Sequence, residues 1–314
     1  MIKEIDVIGI GNALVDLTYN VDDEFLKRFN IDKGNSNSID SPGMEKMLNT
    51  LGAPQNISCG GSSANTIWGV NYLGGKTCFM GKVGIDFYGQ KFIKELKEKN
   101  IIVSILQDQK RKTGNTITFI TPDKERTFLA DLGAAAYFRK NNLDEKAVIN
   151  SKIFHPELYL LRFPDTRESF FHAIEIAKQN KTKVSLDLSS PKLVEKTFNL
   201  ENLLGDYVDI VFANEEEARA FTNKEDEGAL NELSNYCETA VVKLGERGSL
   251  IKHKKEIYKV NPFQVKLANT NGAGDMYAAG ILYGITNGLS IERAGKLASK
   301  YSAKVVSIES ARLS

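Results

Sequence analysis

Four short runs rich in β-branched residues recur along the chain: IDVIGI (5–10), KVSLDL (183–188), VDIVFA (208–213) and TAVVKL (239–244). They are apolar almost throughout rather than at alternate positions, which is the pattern of strands covered on both faces. Helical periods lie between them. In DTRESFFHAIEIAKQN (165–180), Phe170, Ile174 and Ala177 share one side and Asp165 is placed to cap the start. Strand and helix alternating in this way predict βαβ units, and hence an α/β fold on a largely parallel sheet.

One region departs from that rhythm. TITFITPDKERTFLA (116–130) alternates at period two around a PDKE turn, which predicts an antiparallel hairpin. The stretch from about residue 15 to 39 is poor in helical period and rich in Asp, Asn and Gly. Together these segments read as a small β flap beside the main sheet. No linker, repeat or low-complexity tract interrupts the chain, so residues 1–314 read as a single domain with an appendage.

Composition removes several function classes. Forty-one basic side chains balance 40 acidic ones, so the basic excess of a nucleic-acid or anionic-membrane binder is missing. Cys59, Cys78 and Cys237 form no CxxC pair and His155, His172 and His253 are scattered, which argues against structural zinc. An odd, sparse cysteine count suits a reducing compartment. The start of the chain lacks a signal-peptide plan, and no apolar run reaches the roughly 20 residues of a membrane span, so a cytoplasmic location is expected.

Two glycine motifs mislead. GIGNAL (9–14) follows a strand like a dinucleotide fingerprint, but Leu14 stands where a third glycine would allow close helix packing. GVNYLGGKT (69–77) has the wrong spacing for a phosphate loop, and its Gly74–Gly75 pair ends a helical pattern as a C-cap would.

NTNGAGD (269–275) is different. It enters the small, apolar helical pattern 276–285, which Asn287–Gly288 closes. Glycines at 272 and 274 let backbone N–H groups converge at a helix N-terminus, making an anion hole, and Asp275 lies inside it. There it could accept a proton from a hydroxyl attacking phosphorus, or simply favour the helix dipole at the end of a glycine-rich turn.

Other candidates carry similar pairs of readings. In NEEE (214–217), Asn214 and Glu217 form a capping arrangement, or Glu217 organises Mg²⁺ and its waters near phosphate. CGGSSAN (59–65) is plain turn chemistry, or a close backbone approach to a polyhydroxyl ligand with Asn65 beside it. Asp16 is a loop acid, or an acceptor for a pair of hydroxyls.

In sequence order, GNALVD (11–16), GGSSAN (60–65), ERT (125–127), NEEE (214–217), KLGERGS (243–249) and NTNGAGD resemble the PfkB, or ribokinase-like, family of sugar and nucleoside kinases. The resemblance covers essentially the whole chain. It implies a Rossmann-like three-layer α/β sandwich with a mostly parallel central sheet, and a small β-sheet lid formed by insertions at about 15–40 and 103–131. It also implies ATP as donor, Mg²⁺, and transfer to a primary hydroxyl. The adenosine-kinase branch is the most similar, because Asn12 stands four residues before Asp16 and Asn271 gives the TNGAGD form. LDLSSP (186–191) points the same way.

By that resemblance, Asp275 is the catalytic base, and the amides of Gly272, Ala273 and Gly274 are the anion hole. Asp16, Gly60, Gly61 and Asn65 bind ribose hydroxyls, while Asn12, Leu14 and Tyr159 face the base. Asn214 and Glu217 tune phosphate and Mg²⁺ binding, the latter through water. Lys243, Gly245 and Gly248 lie beside the base and ribose of ATP, and Arg126 on the lid meets the transferring phosphate. The family usually has Asp at position 269, where it helps hold a monovalent cation, and Asn269 offers only a neutral oxygen. Weak or absent K⁺ dependence is therefore expected. The resulting expectation is a nucleoside kinase making AMP from adenosine, as monomer or homodimer. A sugar kinase or a non-catalytic nucleoside or sugar sensor remains the alternative.

Overall fold

The computed structural model describes residues 3–314. In chain order its strands are β1 (Ile5–Ile10), β2 (Leu14–Asn20), β3 (Ser36–Ser38), β4 (Asn56–Gly60), β5 (Thr77–Gly84), β6 (Ile102–Asp108), β7 (Thr113–Ile120), β8 (Arg126–Gly133), β9 (Ser151–Pro156), β10 (Lys183–Asp187), β11 (Ile210–Asn214), β12 (Thr239–Lys243), β13 (Ser249–His253) and β14 (Glu256–Val260).

Nine of them form one sheet in the order β14-β13-β12-β11-β10-β9-β1-β5-β6. From β12 to β6 every pairing is parallel, and β13 and β14 add an antiparallel edge. The near-continuous apolar runs are explained by burial on both faces. Val7, Phe212 and Val241 point into one helical layer, while Ile8, Ile10, Val211 and Val242 point into the other. The first layer holds helices Ser62–Tyr72, Ala273–Thr286 and Ile291–Val306, which small residues bring close together. A side chain at Gly280 or Gly284 would strike Ala298 or Ala294, and one at Gly69 would strike Ala279. Helix Pro164–Gln179 lies in the second layer, with Phe170, Ile174 and Ala177 buried as expected. Asp165 does not cap it. Phe163 is the N-cap, Pro164 takes the first turn, and the Asp165 carboxylate accepts from Arg139 Nε instead, at 2.8 Å.

The remaining strands form a second sheet, β3-β8-β7-β2-β4. The expected hairpin is β7 and β8, paired antiparallel. The lid insertions differ from expectation at two places. Residues 102–108 are β6, parallel to β5 at the edge of the large sheet, so the second flap segment begins only at β7. Residues 56–60, outside either expected insertion, are the lid strand β4. The stretch 15–39 also contains a short helix, Asp23–Arg28, capped by Asp22.

The chain crosses between the sheets at short connections. Residues 11–13 join β1 to β2, Gly61 joins β4 to the helix beginning at Ser62, and 109–112 join β6 to β7. These crossings gather side chains from both sheets at the carboxyl ends of the parallel strands, where ligands of open α/β sheets bind. The three cysteines are free, and among the described residues no helix is long and apolar enough to cross a membrane.

Candidate active site

Gly272 is the N-cap of helix Ala273–Thr286 and adopts φ +76. It provides no side-chain cap, so the Gly274 amide keeps its donor for an incoming anion, whereas the Ala273 N–H, expected to be part of the anion hole, donates to Thr270 O at 3.3 Å. A Cβ at Gly272 would collide with the carbonyl of Ala311, so a larger residue could not hold this turn. Asp275 follows in the first turn. Its Oδ1 accepts from Ser62 Oγ at 2.7 Å and its Oδ2 from Asn65 Nδ2 at 2.9 Å. Burial raises the Asp275 carboxyl to about 6, against the lowering effect of those two hydrogen bonds.

Lys243 ends β12 and extends to the same loop. Its ammonium pairs with Asp187 at the end of β10, at 2.7 Å, and lies 3.1 Å from where a Cβ on Gly274 would stand. Lys243, expected beside the base and ribose of ATP, thus brings positive charge close to the Gly274 turn. Despite burial, the Asp187 and Glu217 charges push Lys243 up to about 12, so it stays charged. Gly245 and Gly248 form the turn after β12, at φ +56 and +90.

Asn214 and Glu217 form the reciprocal capping box of helix Glu215–Thr222. Asn214 N and Nδ2 donate to the two Glu217 oxygens at 2.8 and 2.9 Å, and Glu217 N donates back to Asn214 Oδ1. Burial and the nearby Asp187 raise Glu217 to about 7. The capping reading of NEEE is what the geometry shows, and the Glu217 carboxylate also lies in the field of Asp187 and Lys243. Among the described residues, no group of three or more His, Cys, Asp or Glu side chains is arranged to hold a metal. A divalent ion fits here only as a partner of phosphate, with carboxylates acting through water.

On the other side of Asp275 lies the acceptor end. Asn12, in the 11–13 connection, is buried and donates from N and Nδ2 to the two oxygens of Glu157, at 3.2 and 2.8 Å. Asp16 lies on β2 opposite Ser58 of β4, and burial raises its carboxyl to about 6. Any side chain at Gly60 would meet the Asp16 carboxylate, and one at Gly61, φ +95, would strike the Asn12 carbonyl. These contacts explain the Gly-Gly pair. Leu14, Tyr159 and Ser190 line the adjoining cavity of about 1430 Å³.

Arg126 begins β8 on the lid. Its Nη1 donates to Asn269 Oδ1 at 2.8 Å and its Nη2 lies 3.9 Å from Glu309. The guanidinium is therefore tied to the loop that leads into the anion hole. Asn269 is fully committed as well, since its Oδ1 also accepts from Asn271 N and its Nδ2 donates to Glu309 O.

Four participants escaped the motif reading. Glu157 lies just after β9, where a lone Glu following an apolar run was a usable signal. Asp187 and Ser62 lay inside quoted stretches without a role. Arg312 had no local signal at all.

A sequence model described as pfkB family carbohydrate kinase matches residues 35–314. The adenosine kinase of Sinorhizobium meliloti superposes with a TM-score of 0.90 at 32% identity, covering 99% of this chain and 96% of that one. A probable sugar kinase from Rhizobium etli gives 0.91 at 32% identity, with the same coverage. The 5-dehydro-2-deoxygluconokinase of Halalkalibacterium halodurans is 29% identical over 323 residues, 97% of this chain and 89% of its own length. The two sheets, the uncapped glycine turn holding a half-buried carboxylate, and the full-length matches lead to one statement: the chain is a kinase of the PfkB family with a ribokinase-like fold.

Proposed function

We propose that this kinase phosphorylates the 5′-hydroxyl of a nucleoside, converting adenosine to AMP. The observation that supports this reading is the mixed chemistry of the acceptor cavity. Asn12, Gly61 and Ser62 border it near Asp275, and the same cavity is walled by Leu14, Phe128, Leu132, Tyr159 and Leu161. A polyhydroxyl group fits the first set, and a flat, largely apolar base fits the second.

Asp275, two hydrogen bonds from fixed donors, accepts the proton of the attacking hydroxyl. The amides of Gly272 and Gly274 and the Lys243 ammonium stabilise charge on the phosphoryl oxygens. Mg²⁺, when bound with ATP, supplies neutralisation of phosphate charge. Glu217 and Asp187 are placed to orient its waters. Asp16 and Asn65 hold acceptor hydroxyls, and Arg126 joins the lid to the anion loop. Both polar side-chain atoms of Asn269 are bound to protein and its side-chain oxygen is neutral, which supports weak K⁺ dependence.

A sugar acceptor is the second reading. It is favoured by Glu157, a buried carboxylate beside Asn12 that suits hydroxyl donors, and by the dehydrodeoxygluconokinase relative. ATP turnover with adenosine, inosine, guanosine, cytidine, ribose, fructose and 5-dehydro-2-deoxygluconate separates the two. Adenosine is expected to give the highest kcat/KM, and turnover confined to sugars would reverse the assignment. Asp275→Asn should lose at least about 10³-fold in kcat while still binding acceptor, and near-normal turnover in it would remove Asp275 as the base.

A further inference from the structure

Arg312 belongs to the segment after the last helix, Ile291–Val306, and is buried against the acceptor site. Its Nε donates to Asn65 Oδ1 at 2.8 Å and its Nη2 approaches the Gly60 carbonyl at 3.4 Å. The guanidinium lies over the Trp68 ring, 5.0 Å from its centroid. The backbone around it is pinned at two places, by Trp68 Nε1 donating to Leu313 O at 2.8 Å and by Asn269 Nδ2 donating to Glu309 O at 2.7 Å. We propose that Arg312 is a positioning residue for phosphoryl transfer, fixing the Asn65 amide so that its N–H faces Asp275.

An Asn side chain has two nearly isosteric ends, and without a constraint either can face the carboxylate. Arginine has only donors, so it selects the oxygen end of Asn65. The nitrogen end is then left for Asp275, and it donates to Oδ2 at 2.9 Å. A reversed amide would set a carbonyl against the carboxylate and turn Asp275 away from Ser62. The relay Arg312–Asn65–Asp275 therefore sets the direction in which the carboxylate can accept a proton.

A purely structural role explains this residue poorly. No carboxylate forms an ion pair with Arg312 among the described residues, and its Nη1 is buried without any partner. Removing a guanidinium from water on such terms is unfavourable, and an apolar side chain over Trp68 would pack more simply. The residue makes sense where its charge is used, in the field of Glu95, Asp16 and Asp275 and bonded to the Asn65 that holds Asp275.

This inference rests on Asp275 being the base, and the experiment separates the two. Arg312→Met, Asn65→Ala and the double variant are compared, each checked by thermal melting and by ATP affinity, with the fastest acceptor of the panel above. Arg312→Met is expected to lower kcat about 30-fold, with the KM for ATP within about twofold of the parent. The double variant should be no slower than Asn65→Ala alone, because the relay is already cut. Losses that multiply instead would overturn the proposal, as would parental kcat in Arg312→Met. Should the Met variant fail to fold, Arg312→Lys decides. It retains a donor for Asn65 Oδ1 and is expected within about fivefold of the parent, whereas a folded Lys variant as slow as Asn65→Ala contradicts the relay. An inactive Asp275→Asn with multiplying losses refutes the relay alone, and an active Asp275→Asn refutes the base.

Discussion

At the scale of residues, the site is a set of buried and half-buried carboxylates whose protons are shared with its chemistry. Asp275 and Asp16 both titrate near 6 because burial disfavours their charged forms. Asp275 is faced by Asp16, Glu157, Asp187, Lys243 and Arg312 from the surrounding elements. A base must be ionised to work, so kcat/KM should be level above about pH 7 and fall as pH drops through 6. With two groups in the same window, the fall should be steeper than a single ionisation. An acid limb confined below pH 4.5 would contradict this. Glu157→Gln places an N–H₂ against one of the two Asn12 donors. It should raise the acceptor KM about tenfold or more, with kcat little changed, since a hydrogen bond to a charged group contributes about 1.5–3 kcal/mol. At position 269, exchange of K⁺ for a large inert cation at fixed ionic strength should change parental turnover by less than about twofold, a neutral amide being a poor cation ligand. Asn269→Asp should acquire a K⁺ response. These roles were partly legible beforehand. NTNGAGD and GGSSAN declare themselves by glycine spacing, because the chain needs left-handed or side-chain-free positions there. Arg312 and Glu157 act through partners more than 140 positions away, and no local pattern encodes that distance.

At the scale of elements, the central strands were readable because burial on both faces leaves a continuous apolar run. The helix entering at 273 was readable from its small residues, which the structure explains by close packing. Gly280 rests on Ala298 in the neighbouring helix. Gly280→Val should destabilise the fold by about 3 kcal/mol or more through overpacking, seen as a lower urea midpoint with unchanged m-value. The boundaries of the lid were less legible. Residues 102–108 and 56–60 are both short and mixed in polarity, and their sheet is decided by pairing partners: β6 by β5, and β4 by β2. Asp165 failed as a cap because the preceding Pro164 already fixes the first turn.

At the scale of the whole molecule, the lid and the core share one site, so acceptor binding should hold both. Asp275→Asn, slow in turnover but intact in the pocket, is the suitable protein for this. A true acceptor at about 100 times its Kd should stabilise it by about 2.7 kcal/mol, and a non-acceptor should leave its Tm unchanged. The crossings between sheets have a kinetic consequence too. Leu14 of β2 pairs with Gly114 of β7, and the segments between them build other parts of the core. The lid is thus stitched from distant stretches of chain rather than inserted as a cassette. It has no state in which it is complete while the core is unformed. Its assembly waits on a loop closure spanning a third of the chain, so refolding should be slow and its final phase should coincide with the recovery of acceptor binding.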